Sequence, residues 1–156
     1  MELTRQQILD FLGEYKFMVV ATYGKFPWIA SVYYTFDNNL NLYFLSSPTT
    51  LHSKQIEKNN RVSVSIADSH QEINKLKRGM QISGIAKRIP EVAKIKHALS
   101  LWKSSLGVKD PELTYENMMK KIVIGRMYLI KPLRIKLFDQ KLSPVDDGEE
   151  PVLILG

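Results

Sequence analysis

The sequence predicts a mainly β, α+β domain in which a few helices flank an antiparallel β-barrel core. Short β-branched or alternating segments recur between turn residues, and one pair of them has the turn chemistry of a hairpin. A helical period is sustained only near the N-terminus, after Thr49 and beyond Pro90. Many short strands with few helices point to this architecture.

The elements follow in order. Thr4 can cap a first helix in which Ile8, Phe11, Leu12 and Tyr15 recur at helical spacing, with an end near Gly13. The period then becomes that of a strand in FMVVAT, residues 17–22, and YGKFP reads as a turn. In the next strand Trp28, Ala30, Val32, Tyr34 and Phe36 share one face, and Ile29, Ser31, Tyr33 and Thr35 share the other. Asp37-Asn38-Asn39 supplies residues that tolerate positive φ. Leu40, Leu42 and Phe44 alternate on the return strand, with Tyr43 and Leu45 opposite. The second faces, carrying Ile29, Tyr33, Tyr43 and Leu45, are too apolar to meet only water, so a helix, a ligand or a second subunit must cover them.

From Thr49 or Thr50 a short helix should run to about Asn59 and bury Leu51 and Ile56. RVSVSIA is a strand with Val62, Val64 and Ile66 on its core face, and the polar HQEINKLK is a connection. RGMQISGIAKRI is a further strand in which Gly79 and Gly84 suggest a bulge or a close backbone approach. Pro90 suits the first position of a helix carrying an amphipathic stripe of Val92, Ile95, Leu99, Trp102 and Leu106. Asp110-Pro111 should open another helical segment through Met119. RMYLIKPLRIKLF is expected to form a final strand pair, with Pro132 at an edge or a break.

With 156 residues and no repeat, low-complexity segment or linker, a single domain over residues 1–156 is expected. There is no cysteine, which excludes disulfides, thiolate metal sites and a cysteine nucleophile. No apolar run approaches the roughly 18 residues a membrane helix needs. MELTRQQILDFLGEYK lacks a basic head before an apolar stretch, so no signal peptide and a cytoplasmic location are expected. The net charge is +6, with basic clusters at Lys75, Lys77 and Arg78, at Lys87 and Arg88, and from Lys120 to Lys141. Acid collects at Asp146, Asp147, Glu149 and Glu150. A solvated lysine-rich surface and an attraction for phosphate both fit this balance. Nucleic acid is not the expected partner, because aromatic-interleaved basic motifs, zinc ligand sets and a helix-turn-helix signature are all missing.

The usual catalytic motifs fail as well. His52, His70 and His97 have no GxSxG context and no paired acid at a recognisable spacing. Neither HExxH nor a carboxylate cluster is present, so no metal site is expected, and GxGxxG and GxxxxGKS loops are absent. No side chain stands out as a catalytic acid or base. What remains is YFLSSPTTLHSK, residues 43–54, where Thr50, His52 and Lys54 lie in or near the first turn of a helix that follows Ser46-Ser47. Hydroxyls, helix N–H groups, an imidazole and an ammonium there can hold a phosphate. Equally, Thr50 can serve only as an N-cap and Lys54 only as a solvated charge.

The succession FPWIASVYYTFDNNLNLYFLSSPTTLHSKQIEKNNRVSVSI, then RGMQISGIAKRI, then MYLIKPLRIKLFD, resembles the FMN-binding split barrel of the pyridoxamine 5′-phosphate oxidases and their relatives. The resemblance covers most of residues 17–89 and 125–139 and points to an uncharacterised branch. It implies a Greek-key-like split barrel, noncovalent FMN at a homodimer interface, and oxidoreductase chemistry on an unknown substrate and electron donor. Thr50 stands where the family places a hydroxyl on the FMN phosphate, and Leu51-His52 replaces an Arg-Lys pair, with Lys54 able to supply a cation. Ser31, Val32 and Tyr33 would line the flavin ring, Ser46 and Ser47 the ribityl chain, and Gln81 would reach the ring from a second subunit. The Arg-rich closing segment that holds pyridoxal phosphate has no equivalent in KLSPVDDGEEPVLILG, so that substrate is not expected. Three rivals stand beside this reading: a split barrel for a deazaflavin or haem, a flavin-binding module without turnover, and nucleic-acid binding through the basic surface.

Overall fold

The computed structural model describes residues 2–142 and 151–156; the acidic cluster at Asp146, Asp147, Glu149 and Glu150 lies outside them. The chain opens with α1, Arg5–Glu14, and Thr4 caps it in a reciprocal capping box. The Thr4 hydroxyl accepts from the Gln7 N–H at 3.2 Å, and the Gln7 side chain accepts from the Thr4 N–H at 2.9 Å. Strands β1 (Phe17–Tyr23), β2 (Pro27–Phe36) and β3 (Leu42–Ser46) follow, then α2 (Leu51–Lys58), β4 (Arg61–Ile66) and β5 (Arg78–Arg88). Helices α3 (Val92–Leu106) and α4 (Tyr115–Met119) lead to the long β6 (Arg126–Asp139) and a short β7 (Val152–Ile154).

All pairings are antiparallel. The order β3-β2-β1-β4-β5-β6 closes on itself because β3 also pairs with β6, giving a six-strand barrel, and β7 adds to β6. This is the split barrel that the sequence implied. Alternate residues fill it: Met18 and Val20, Val32 and Tyr34, Val62, Val64 and Ile66, Met80 and Ile82, Tyr128 and Ile130 are all buried. Helix α1 packs onto this core, and the buried Tyr34 hydroxyl donates to the Leu12 carbonyl at 2.8 Å. Arg78 ties the helix down further through Glu14 and Asp139. Helix α2 packs against β1, β2 and β5, with Gln55 accepting from the Thr22 hydroxyl at 2.6 Å and donating to the Phe26 carbonyl at 3.3 Å. A second cluster forms outside the barrel, where Ile95, Ala98, Leu99 and Trp102 of α3 and Met118 of α4 cover Tyr43 and Met127. Among the described residues no helix is long and apolar enough to cross a membrane.

Several expectations are corrected. The predicted closing strand pair is the single strand β6. Pro132 falls between the residues of β6 paired with β3 and those paired with β7, so that edge needs no N–H there. Opposite Pro132 lies Gly84, at a register shift, where a Cβ would stand 2.7 Å from the Lys131 carbonyl oxygen. Positive φ in the β2–β3 hairpin falls on Leu40 (φ 68°) rather than on the asparagines. Asp37 fixes that turn by accepting from the N–H groups of Asn39 and Asn41 and from the Tyr43 hydroxyl. Pro90 precedes the cap residue Glu91 instead of opening α3, and Val92 is exposed. The segment from Asp110 becomes helical only at Tyr115, after Thr114 caps it. Leu51 is exposed, and α2 buries His52, Ser53 and Gln55 beside Ile56.

Candidate functional site

The apolar outer faces of the hairpin meet different fates. Tyr43 and Leu45 lie under α3 and α4, whereas Ile29 is 65% exposed and Tyr33 53% exposed. Cross-strand register extends this bare surface around the barrel. One row runs Ser31–Val19–Ser65–Gln81–Lys136–Val152, and the next runs Ile29–Ala21–Ser63–Ser83–Arg134–Ile154. Small side chains make its floor, and they line a groove of about 450 Å³ bordered by Ile29 on one side and Arg134 and Lys136 on the other. Phe17 stacks on Tyr33 at 4.4 Å beside it.

Strand β2 also leaves part of its backbone uncovered. The Tyr34 N–H donates to Lys16 in the direction of β1, so the odd-numbered residues turn their backbone groups the other way. On that side β3 pairs only with Tyr34, Thr35 and Phe36 before it departs. Trp102 donates through Nε1 to the Tyr33 carbonyl at 3.2 Å. The N–H groups of Ile29, Ser31 and Tyr33, and the carbonyls of Ile29 and Ser31, therefore face an opening that no strand fills among the described residues. The departing chain forms the opposite border: Ser46, the Ser47–Thr50 turn, then α2.

At that border the hydroxyls and the imidazole form a network. His52 Nε2 lies 2.6 Å from Ser46 Oγ and 3.2 Å from Thr50 Oγ1. Thr50 Oγ1 accepts from the Ser53 N–H at 3.3 Å and stands 2.9 Å from the Ser47 carbonyl and 2.8 Å from Ser53 Oγ; its one proton serves one of these at a time. Ser47 Oγ is 2.9 Å from Thr49 Oγ1. Thr50 is thus a true N-cap, and the N–H groups of Leu51 and His52 remain as first-turn donors of α2. Burial lowers the His52 pKa, favouring the neutral ring. The border is a neutral cradle.

The expected site residues therefore divide. Ser46, Ser47, Thr50 and His52 converge, and Lys54 is an exposed side chain one turn further along α2. Ser31 and Tyr33 stand on the bare face and at the open edge. Val32 turns its side chain into the core and its backbone toward β1, so it offers the opening nothing. Gln81 is three strands from Ser31 in the same row, roughly 14 Å away at ordinary strand spacing. His52 is buried, with its Nε2 against Ser46 Oγ.

Two cations that the sequence showed only as members of basic clusters were not among the expected site residues. Arg126 is the cross-strand partner of Ser46, and Arg88 is that of Tyr128, whose ring stacks on Phe44 at 5.1 Å. Arg126 sits among the basic residues noted from Lys120 on, but only the β3–β6 register puts it beside the cradle. Among the described residues no group of three or more His, Asp or Glu is placed to hold a metal.

Comparison with known proteins gives a consistent family. The sequence profile of pyridoxamine 5′-phosphate oxidase matches residues 4–124. No curated protein matches the chain. Among solved structures, the fold is similar to that of an FAD-binding protein from Mesorhizobium loti (16% identity, 85% of this chain and 90% of that one, TM-score 0.65). It is also similar to a protein from Clostridium acetobutylicum related to general stress protein 26, of the pyridoxinephosphate oxidase family (11% identity, 98% and 97%, TM-score 0.65). A haem-binding protein from Mycobacterium smegmatis matches at 14% identity over 99% of this chain and 59% of its own length, with TM-score 0.69.

Proposed function

Because the chain belongs to the pyridoxamine 5′-phosphate oxidase family, we propose that it is a flavoprotein that binds FMN noncovalently at a homodimer interface and acts as an oxidoreductase. The observation that carries this reading is the open β2 edge beside the α2 cradle. A flavin ring needs both donors and acceptors in one line, and the backbone of Ile29, Ser31 and Tyr33 offers them. The phosphate end would meet the Thr50 hydroxyl and the Leu51 and His52 N–H groups, with Ser46 and Ser47 along the ribityl chain. These residues fit the group, through neutral donors. Bound FMN supplies hydride or electron transfer. The chain's own part is to bind, orient and exclude water; among the described residues no carboxylate lines the groove to act as an acid or base.

A second copy laid on the bare face would cover Phe17, Ile29 and Tyr33. The separation between Gln81 and Ser31 supports a role for Gln81 in the partner's site rather than its own. Haem is less well served, because His52 Nε2 is buried and held by Ser46, so the cradle presents no axial ligand.

The test is a visible spectrum of the purified chain, repeated after adding excess FMN and dialysing. A retained flavin band with altered vibronic structure supports the site. Complete loss of flavin on dialysis would sink the proposal.

A further inference from the structure

A separate cavity of about 350 Å³ lies where the outer helices meet the ends of β5 and β6. Its floor is apolar, formed by Ile89, Ile95, Met118 and Met127, all buried. Its charged lining is cationic, Arg88 and Arg126, beside Tyr115, with no carboxylate among the described residues. The neighbouring acids are engaged elsewhere, Glu91 with Lys94 at 3.5 Å and Glu116 with Lys96 at 3.6 Å.

Arg126 is held in place without a counter-charge. Its Nη1 donates toward the carbonyls of Val123, Ile124 and Gly125 at 2.8, 3.1 and 2.9 Å, and Nη2 donates to Met118 at 2.9 Å. Its Nε is buried and has no partner. Neither Arg126 nor Arg88 forms an ion pair among the described residues. The Arg126 guanidinium is thus partly buried, faces only carbonyls, and has no anion beside it among the described residues. We propose that this cavity is a second ligand site, for a small amphipathic monocarboxylate whose tail lies on Ile89, Ile95, Met118 and Met127 and whose carboxylate meets the guanidinium groups of Arg88 and Arg126 that line it. The volume is at the small end for ligand pockets, which suits a short acyl or aromatic acid. A carboxylate also matches the planar guanidinium donors better than a neutral head group does.

Octanoate is the probe, titrated into the full chain labelled at its methionine methyl groups. Met118, Met119 and Met127 shift saturably, while Met18 and Met80 in the barrel core stay still. 1-Octanol binds about tenfold more weakly, the loss expected for one charge-assisted contact. Arg126 also secures the 118–125 segment, so the variants are placed at exposed positions. Arg88→Gln weakens octanoate about tenfold without changing octanol, and Met119→Trp at the rim blocks both. Octanoate and octanol of equal affinity would overturn the proposal, as would shifts at Met18 and Met80. Displacement of octanoate by FMN would show the cavity to be part of the flavin site instead.

Discussion

The outer surface of the barrel has two halves that the chain treats in opposite ways, and β2 crosses both. Thr35 is 3% exposed, under α3 and bonded by the Ser105 hydroxyl at 2.7 Å, whereas Ile29 on the same face is 65% exposed. The covered half has large side chains interlocked with a helix: Tyr43, Leu45, Met127 and Trp102. The bare half has a floor of Val19, Ala21, Ser63, Ser65 and Ser83, with aromatic and cationic borders. Large residues suit a cover built by the chain itself, while a flat floor of small ones lets another backbone or a planar ring come close. The seam between the halves is Trp102, whose indole donates to Tyr33 where β3 has left β2.

The largest effect is expected on the covered side. Trp102→Ala should cost about 3–5 kcal/mol in a urea titration, since it empties the centre of the outer cluster and frees the Tyr33 carbonyl. A loss under about 1 kcal/mol would mean that α3 does not hold that half. On the bare side the order of effects reverses. Ile29→Asp should change the stability of the dilute chain by no more than about 0.5 kcal/mol, yet abolish the dimer in sedimentation equilibrium. A dimer that survives Ile29→Asp would place the interface elsewhere.

The covered half was harder to read from sequence than the barrel. Alternation of Val62, Val64 and Ile66 gives strand and face directly, because period two has one inward solution. The apolar second face of the hairpin was legible as needing cover, but its division between helix and open groove depends on where α3 packs, a long-range contact with no local signature. Pro132 was legible as an edge or a break: the edge is what forms, in the gap between β3 and β7, whereas the unbroken run of β6 past it depends on the bulge at Gly84, which is not visible in the segment itself. In the site, Thr50 and His52 were legible as a cluster, whereas burial of the imidazole by Ser46 and the approach of Arg126 follow from strand register alone.

His52 sharpens the comparison through pH. Its folded pKa lies below its unfolded value, so its contribution is complete above about pH 6.5 and is lost as the pH falls toward the folded pKa. The midpoint of thermal unfolding should therefore drop between pH 7 and pH 5, more steeply in the parent than in His52→Gln. Glu14 acts at a lower window. The Arg78 hydrogen bond depresses its pKa, so its stabilisation is complete above the usual carboxylate range and is lost progressively as the pH falls from there toward the folded pKa. Glu14→Gln should flatten the acid limb alone, leaving the slope between pH 7 and pH 5 intact. Equal slopes for the parent and His52→Gln between pH 7 and pH 5 would remove the buried imidazole from the account.

The smallest effect tests the cradle. A phosphate held by cationic side chains gains about 1.5–3 kcal/mol for each charge-assisted bond, but the α2 border offers a neutral ring, hydroxyls and two N–H groups. If the open β2 edge supplies most of the binding, FMN should bind less than about tenfold tighter than riboflavin, a difference near 1.4 kcal/mol. Flavin fluorescence titrations on the same preparation give the ratio. Leu51→Arg is exposed and adds a cation at the first turn of α2, so it should raise FMN affinity about tenfold and leave riboflavin unchanged. A parent preference of a thousandfold or more for FMN would require a cation within reach of the phosphate. Lys54, Arg126 or a residue of the second copy on the bare face would then have to supply it, and the two halves of the surface would be parts of one site.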